Sequence, residues 1–178
     1  MVLYKKFALV LSLLCCGLFF SEFSYAQLLP DNTRLNVQSV QRWMQSNRDF
    51  AAIVQTLDEL NKTESDLKKF DALPAVEQDQ KITSFLQQKQ LLESANKVAG
   101  QHGWKSLGEY TRLSTKLGNA IAAHFYTQEV SRLTEEQKKA LEAKTDPVIL
   151  AVPPSDIAFV KNNEKLLKSY IQAYAKGK

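Results

Sequence analysis

The stretch SLGEYTRLSTKLGNAIAAHFYT, residues 106–127, decides the fold. Ser106 and Glu109 stand three apart, the spacing at which a hydroxyl and a carboxylate each satisfy the other's free backbone N–H at a helix start. Beyond them Tyr110, Leu113, Leu117 and Ile121 recur every three or four residues, with His124 or Phe125 next, so one face of a long helix is apolar. Gly118 and Ala122 lie four apart on that helix, and Ala120 and Ala123 widen the smooth strip. Small side chains at this spacing let another helix approach closely. The strip is read first as tight packing within the chain, and second as the contact of a homodimer.

The flanking segments read as further helices. Asn36 caps a helix running to about Leu60, with Val40, Trp43, Phe50, Val54 and Leu57 on one stripe and Asn47 interrupting it. A short turn of helix follows from Thr63 or Ser65 to Phe70. Pro74 suits a first helical position, and Ile82, Phe85, Leu92 and Ala99 carry one stripe through to Gly100. Thr134 and Gln137 repeat the capping pattern and start a short polar helix to about Lys144. Residues 146–154 (DPVILAVPP) are expected to be extended, because proline disfavours helix in the residue before it. Ser155 then caps a last helix whose buried face is Ile157, Val160, Leu167, Tyr170, Ile171 and Tyr174. The expectation is an all-α antiparallel helical bundle of about four main helices plus one or two short ones, with VILAV lying across its open end. No repeat or interdomain linker breaks residues 27–178, which read as a single helical domain.

The chain has 178 residues, 44% of them hydrophobic, which is too apolar for a disordered protein and long enough for one domain. Its first residues read as an export signal. Lys5 and Lys6 precede the uncharged run Phe7 to Phe20, and Ser24 and Ala26 place small residues three and one before a cut at Gln27. Glu22 closes the run before it reaches the ~18 apolar residues of a spanning helix. A Sec-type signal peptide cleaved after Ala26 is therefore expected, with a retained N-terminal anchor as the alternative. Neither Leu14 before Cys15 nor Cys15 before Cys16 suits lipidation. Cleavage takes both cysteines away and leaves no transmembrane span. It also removes Lys5, Lys6 and Glu22, so 152 of the 178 residues remain and the net charge falls from +4 to +3. An exported domain without disulfides points to the bacterial periplasm.

Few residues carry chemistry. His124 lies on the apolar stripe with Glu129 too far round the helix to assist it, and His102 with Trp104 sits in the glycine-flanked loop QHGW. These three are the candidate contacts for a partner or ligand; the structural reading of each is a hydrogen-bonded core histidine and an ordinary helix–helix turn. The sequence holds no HExxH or GxSxG, no phosphate loop and no dinucleotide glycine pattern. No catalytic residue, metal ligand or cofactor site is assigned. Lysines and arginines are interleaved with acids (Lys62, Lys68 and Lys69 among Glu64, Asp66 and Asp71), so no basic stripe for nucleic acid forms.

Leu133-Thr-Glu-Glu-Gln137 resembles the LTxxQ motif of the Spy/CpxP periplasmic chaperones, small exported helical proteins that bind unfolded clients without ATP. The resemblance covers five residues in one copy, and no residue role is carried over from it. The expected function is non-catalytic: an exported helical protein that binds a partner protein or an envelope component. A Spy/CpxP-like holdase, needing a concave apolar surface on a dimer, is the first alternative. A hydrolase or metal-dependent enzyme whose site is invisible in linear sequence is the second.

Overall fold

A computed structural model describes residues 34–61 and 63–176; the expected signal peptide, with Cys15 and Cys16, lies outside the described residues. Within them the chain is all-α and no strand occurs. The helices are α1 (Val37–Leu57), α2 (Glu64–Asp71), α3 (Ala75–Gln88), α4 (Leu92–Gln101), α5 (Leu107–Val130), α6 (Glu135–Glu142), α7 (Pro147–Leu150), α8 (Pro154–Asn162) and α9 (Glu164–Ala175).

The capping residues act much as their spacing implies. Asn36 Oδ1 accepts from the Ser39 N–H at 2.8 Å while Ser39 Oγ accepts from the Asn36 N–H at 3.1 Å. Thr134 and Gln137 make the same reciprocal pair at the start of α6. At α5 the box is altered. Ser106 Oγ accepts from the Glu109 N–H, but the Glu109 carboxylate reaches past Ser106 to the N–H of Lys105, at 2.6 Å.

Helix α5 is the centre of the fold. It packs against α1, α3, α4, α7, α8 and α9. Its buried residues extend from Leu107 to His124 and include the whole small strip of Gly118, Ala120, Ala122 and Ala123. Ile149 of α7 seats on Ala122 and Ala123. Helix α1 runs antiparallel to α5: Trp43 meets Ser114, Asn47 meets Tyr110, and Ser46 meets Trp104 just ahead of α5. The shared core of Val40, Trp43, Phe50, Leu86, Leu113, Leu117, Val160 and Leu167 supplies the hydrophobic stabilisation, ~2 kcal/mol for each fully buried large side chain. Asn47, which interrupted the α1 stripe, accepts the Tyr110 hydroxyl at 2.9 Å.

Three expected elements come out differently. The stripe read as one helix to Gly100 is two helices. Helix α3 ends in a Schellman motif, with the Leu91 N–H donating to Leu86 O at 2.8 Å, the Gln90 N–H to Gln87 O at 3.0 Å, and Gln90 at φ 59°. A glutamine stands where glycine normally does, so composition concealed the break. Residues 146–154 are not extended throughout: α7 starts at Pro147, with the Asp146 carboxylate accepting from the Val148 N–H at 2.9 Å. Proline restricts only the residue before it, and Asp146 is already outside the helix as its cap; proline's fixed φ then suits the first helical position. Ser155 does not cap the last helix, because Pro154 already opens α8 and Pro153 precedes it. That last helix is itself divided at Asn163, whose φ of −120° lies outside the helical region and whose Nδ2 donates back to Phe159 O at 2.8 Å.

Two stability measurements follow. Gln90→Gly is expected to stabilise the protein by about 1 kcal/mol in urea denaturation, since glycine occupies positive φ without steric cost; an unchanged or lower midpoint contradicts the motif. A Cβ on Gly108 would fall 1.8 Å from Asp79 Oδ1, which is held in a two-pronged ion pair by Arg112. Gly108→Ala is therefore expected to add roughly 1 kcal/mol of helix propensity only in an Asp79→Ala background. Equal effects in both backgrounds would show that Asp79 does not occupy that space.

Candidate functional site

Of the sequence candidates, His102 and Trp104 come together and His124 stands apart. The QHGW loop is the C-terminal cap of α4. The Trp104 N–H donates to Ala99 O at 2.8 Å and the Gly103 N–H to Gly100 O at 3.2 Å, with Gly103 at φ 71°. This turn delivers Trp104 into the core, where it is 4% exposed. Its indole N–H donates to Ser46 Oγ at 3.0 Å, and its ring meets Tyr110 edge-on at 5.7 Å. The Ser46 hydroxyl is in turn held by the carbonyls of Arg42 and Trp43. From the outer side the Arg42 guanidinium lies over the indole, 4.0 Å from the ring centroid, and its Nη1 donates to Gly103 O at 3.0 Å. A guanidinium seated over an aromatic face and bonded to a carbonyl is held in one orientation. His102 Nε2 donates to Asp49 Oδ2 at 2.8 Å. Arg42, Ser46 and Asp49 are thus successive positions on one side of α1 that bind the loop.

Above this clamp lies an open groove of about 890 Å³. It follows the first turns of α1 past Gln38, Gln41, Arg42 and Gln45. Gln101 and His102 border it from the end of α4, and Phe159 and Asn163 from the end of α8. Arg34 adds a second guanidinium, and among the described residues no carboxylate lines it. The surface therefore offers amide donors and acceptors at helical spacing under a local positive charge.

His124 lies 17 residues beyond Leu107, about 26 Å along the α5 axis. It is 5% exposed, with Gln128 Nε2 at 2.9 Å and Glu164 Oε1 at 3.6 Å from its Nε2. It shares no cluster with His102. Among the described residues no group of three or more His, Cys, Asp or Glu side chains is gathered to hold a metal ion. Of the buried acids, Asp156 faces Lys116 at 3.5 Å, and Glu109, 2% exposed, accepts from the Lys105 N–H through Oε2 at 2.6 Å. The LTEEQ segment is the capped start of α6, a helix with no buried residue.

The glutamine face of α1 escaped the sequence reading. Its signal was present as the recurrence of Gln38, Gln41 and Gln45 opposite Val40 and Trp43. The Asp49–His102 pair had no such signal, because its members are 53 residues apart.

Beneath the clamp, burial above all pushes the Tyr110 hydroxyl from 10 up to about 12. The fold favours the neutral phenol. Its stabilising effect is complete below pH 10 and is lost as pH rises toward 12. Alkaline titration of tyrosinate absorbance is expected to show a late-titrating component that disappears in Tyr110→Phe; a titration curve that this substitution leaves without loss of its late part would contradict the packing. No protein-family model matches the chain, and no curated protein or solved structure matches it.

Proposed function

We propose that this is an exported, non-catalytic binding protein, periplasmic in a bacterium, whose working surface is the groove along α1 and whose ligand is a partner polypeptide. The observation that carries the reading is the groove's lining: amides and two arginines beside Leu35, Val37 and Phe159, with no carboxylate among the described residues, on a helix that the QHGW clamp holds through Arg42, Ser46 and Asp49. Small-molecule sites are mostly apolar and enclose their ligands. An open, amide-rich trough instead meets one side of a chain, because each glutamine can accept from a peptide N–H and donate to a peptide carbonyl. Export rests on the basic, apolar and small-residue pattern of residues 1–26.

A holdase needs a broad apolar surface. Among the described residues the exposed large apolar side chains are Val37, Val76 and Leu150, which stand on three different helices, so selective recognition in the groove is favoured over promiscuous capture. For hydrolysis, the Asp49–His102 pair would need a nucleophile beside it, and the Ser46 hydroxyl is occupied by the Trp104 indole and two carbonyls.

The test is binding of the mature protein to a mixed array of 12-residue peptides, with Gln41→Trp to fill the groove and Gln172→Trp as a control on α9. Retained binding in the control and loss in Gln41→Trp are expected. Binding that prefers apolar peptides and ignores Gln41→Trp would overturn the groove and favour a holdase.

A further inference from the structure

We infer that the segment taken by this groove is extended and acidic. This rests on the reading of the groove as a polypeptide site, and it adds what that polypeptide must carry.

Charge is the first reason. Basic and acidic side chains are nearly balanced over the whole chain, 23 against 19, yet the described lining of the groove holds Arg34 and Arg42 and no acid. The nearest acid bonded to a lining residue, Asp49, is engaged by His102.

Arg42 is the second. Long side chains ordinarily lose rotamer freedom when they bind, which costs ~0.5–1.5 kcal/mol for each one immobilised. Arg42 has already lost it to the Trp104 ring and the Gly103 carbonyl. Only its Nη1 is used in that hydrogen bond, and Nη2 makes none among the described residues. A guanidinium fixed in place with N–H groups to spare is a ready partner for a carboxylate, which can accept two of them at once.

The third reason is geometric. Side chains three or four apart on a helix stand roughly 5–6 Å from one another, as Gln38, Gln41 and Gln45 do. An extended chain presents its backbone groups to one side every ~6.6–6.8 Å. The two repeats are close enough for successive glutamines to meet successive peptide groups, whereas a helical ligand keeps its backbone bonded internally and has none to offer. The glutamines would hold the main chain, and the arginines would select the acidic side chains. Nucleic acid fits poorly, since amides neutralise no phosphate and two arginines neutralise few.

The experiment is fluorescence anisotropy on the mature protein with labelled nine-residue peptides: one rich in Asp and Glu, one of Gln and Ser, and one rich in Lys. Unlabelled glutamate serves as competitor. Variants are Arg34→Glu, whose side chain takes part in no hydrogen bond or ion pair among the described residues, and the groove-filling Gln41→Trp. Expected are at least tenfold tighter binding of the acidic peptide than of the neutral one, weakening with added salt, and a tenfold or greater loss in Arg34→Glu. Circular dichroism of each variant confirms that the helices remain. Equal binding of acidic and neutral peptides, both lost in Gln41→Trp, overturns the acidic preference while leaving the polypeptide site intact. Displacement by free glutamate as effective as by peptide reassigns the groove to a small carboxylate. Binding of no peptide, or binding indifferent to Gln41→Trp, overturns both readings.

Discussion

A helix can be surrounded only if it is narrow where its neighbours come close, and α5 is narrow where it has to be. Gly118, Ala120, Ala122 and Ala123 remove bulk from its second half, so that α7 can close onto it through Ile149. Leu113 and Leu117 fill the space facing the other helices. Interiors are packed to crystal-like density, so this division of small and large side chains sets how near each helix can lie. In the first half Gly108 performs a related task, leaving room for the Asp79 carboxylate to reach Arg112.

The core built around α5 contains buried polar groups, and three aromatic residues pair with them. Trp43 donates to Ser114, Trp104 to Ser46, and Tyr110 to Asn47. Each aromatic residue thus buries a large apolar ring and finds a partner for its one polar atom, which removes the penalty for carrying that atom inward. All three pairs lie between α1 and the QHGW–α5 segment. They fix the rotation of α1 about its own axis, and hence which of its residues face outward.

That rotation links the fold to the candidate site. With Trp43, Ser46 and Phe50 turned into the core, Gln38, Gln41, Arg42 and Gln45 line the groove. The Schellman turn at Gly103 both sends Trp104 inward and presents the carbonyl that receives Arg42. The proposed recognition surface is therefore held by contacts that also pack the helices together. Loss of the clamp would loosen both.

Helix identity and most helix starts were legible from sequence, because caps and stripes are local: Asn36, Ser106 and Thr134 each satisfy backbone donors within three or four residues. The break at Gln90 was not, since a glutamine at positive φ is tolerated only when its surroundings compensate, and nothing in the local composition announces it. The partial helix at Pro147 was legible in principle but hidden by treating proline as a barrier over a whole segment. For the site, His102 and Trp104 could be singled out as unusual residues in a glycine-flanked loop, but not as the lower edge of a groove. Short-range hydrogen bonding and periodicity determined the all-α class by themselves. Which face of α1 is covered, where Arg42 is pinned, and which carboxylate meets His102 depend on pairs 53 to 71 residues apart, and only close packing of the folded chain brings those together.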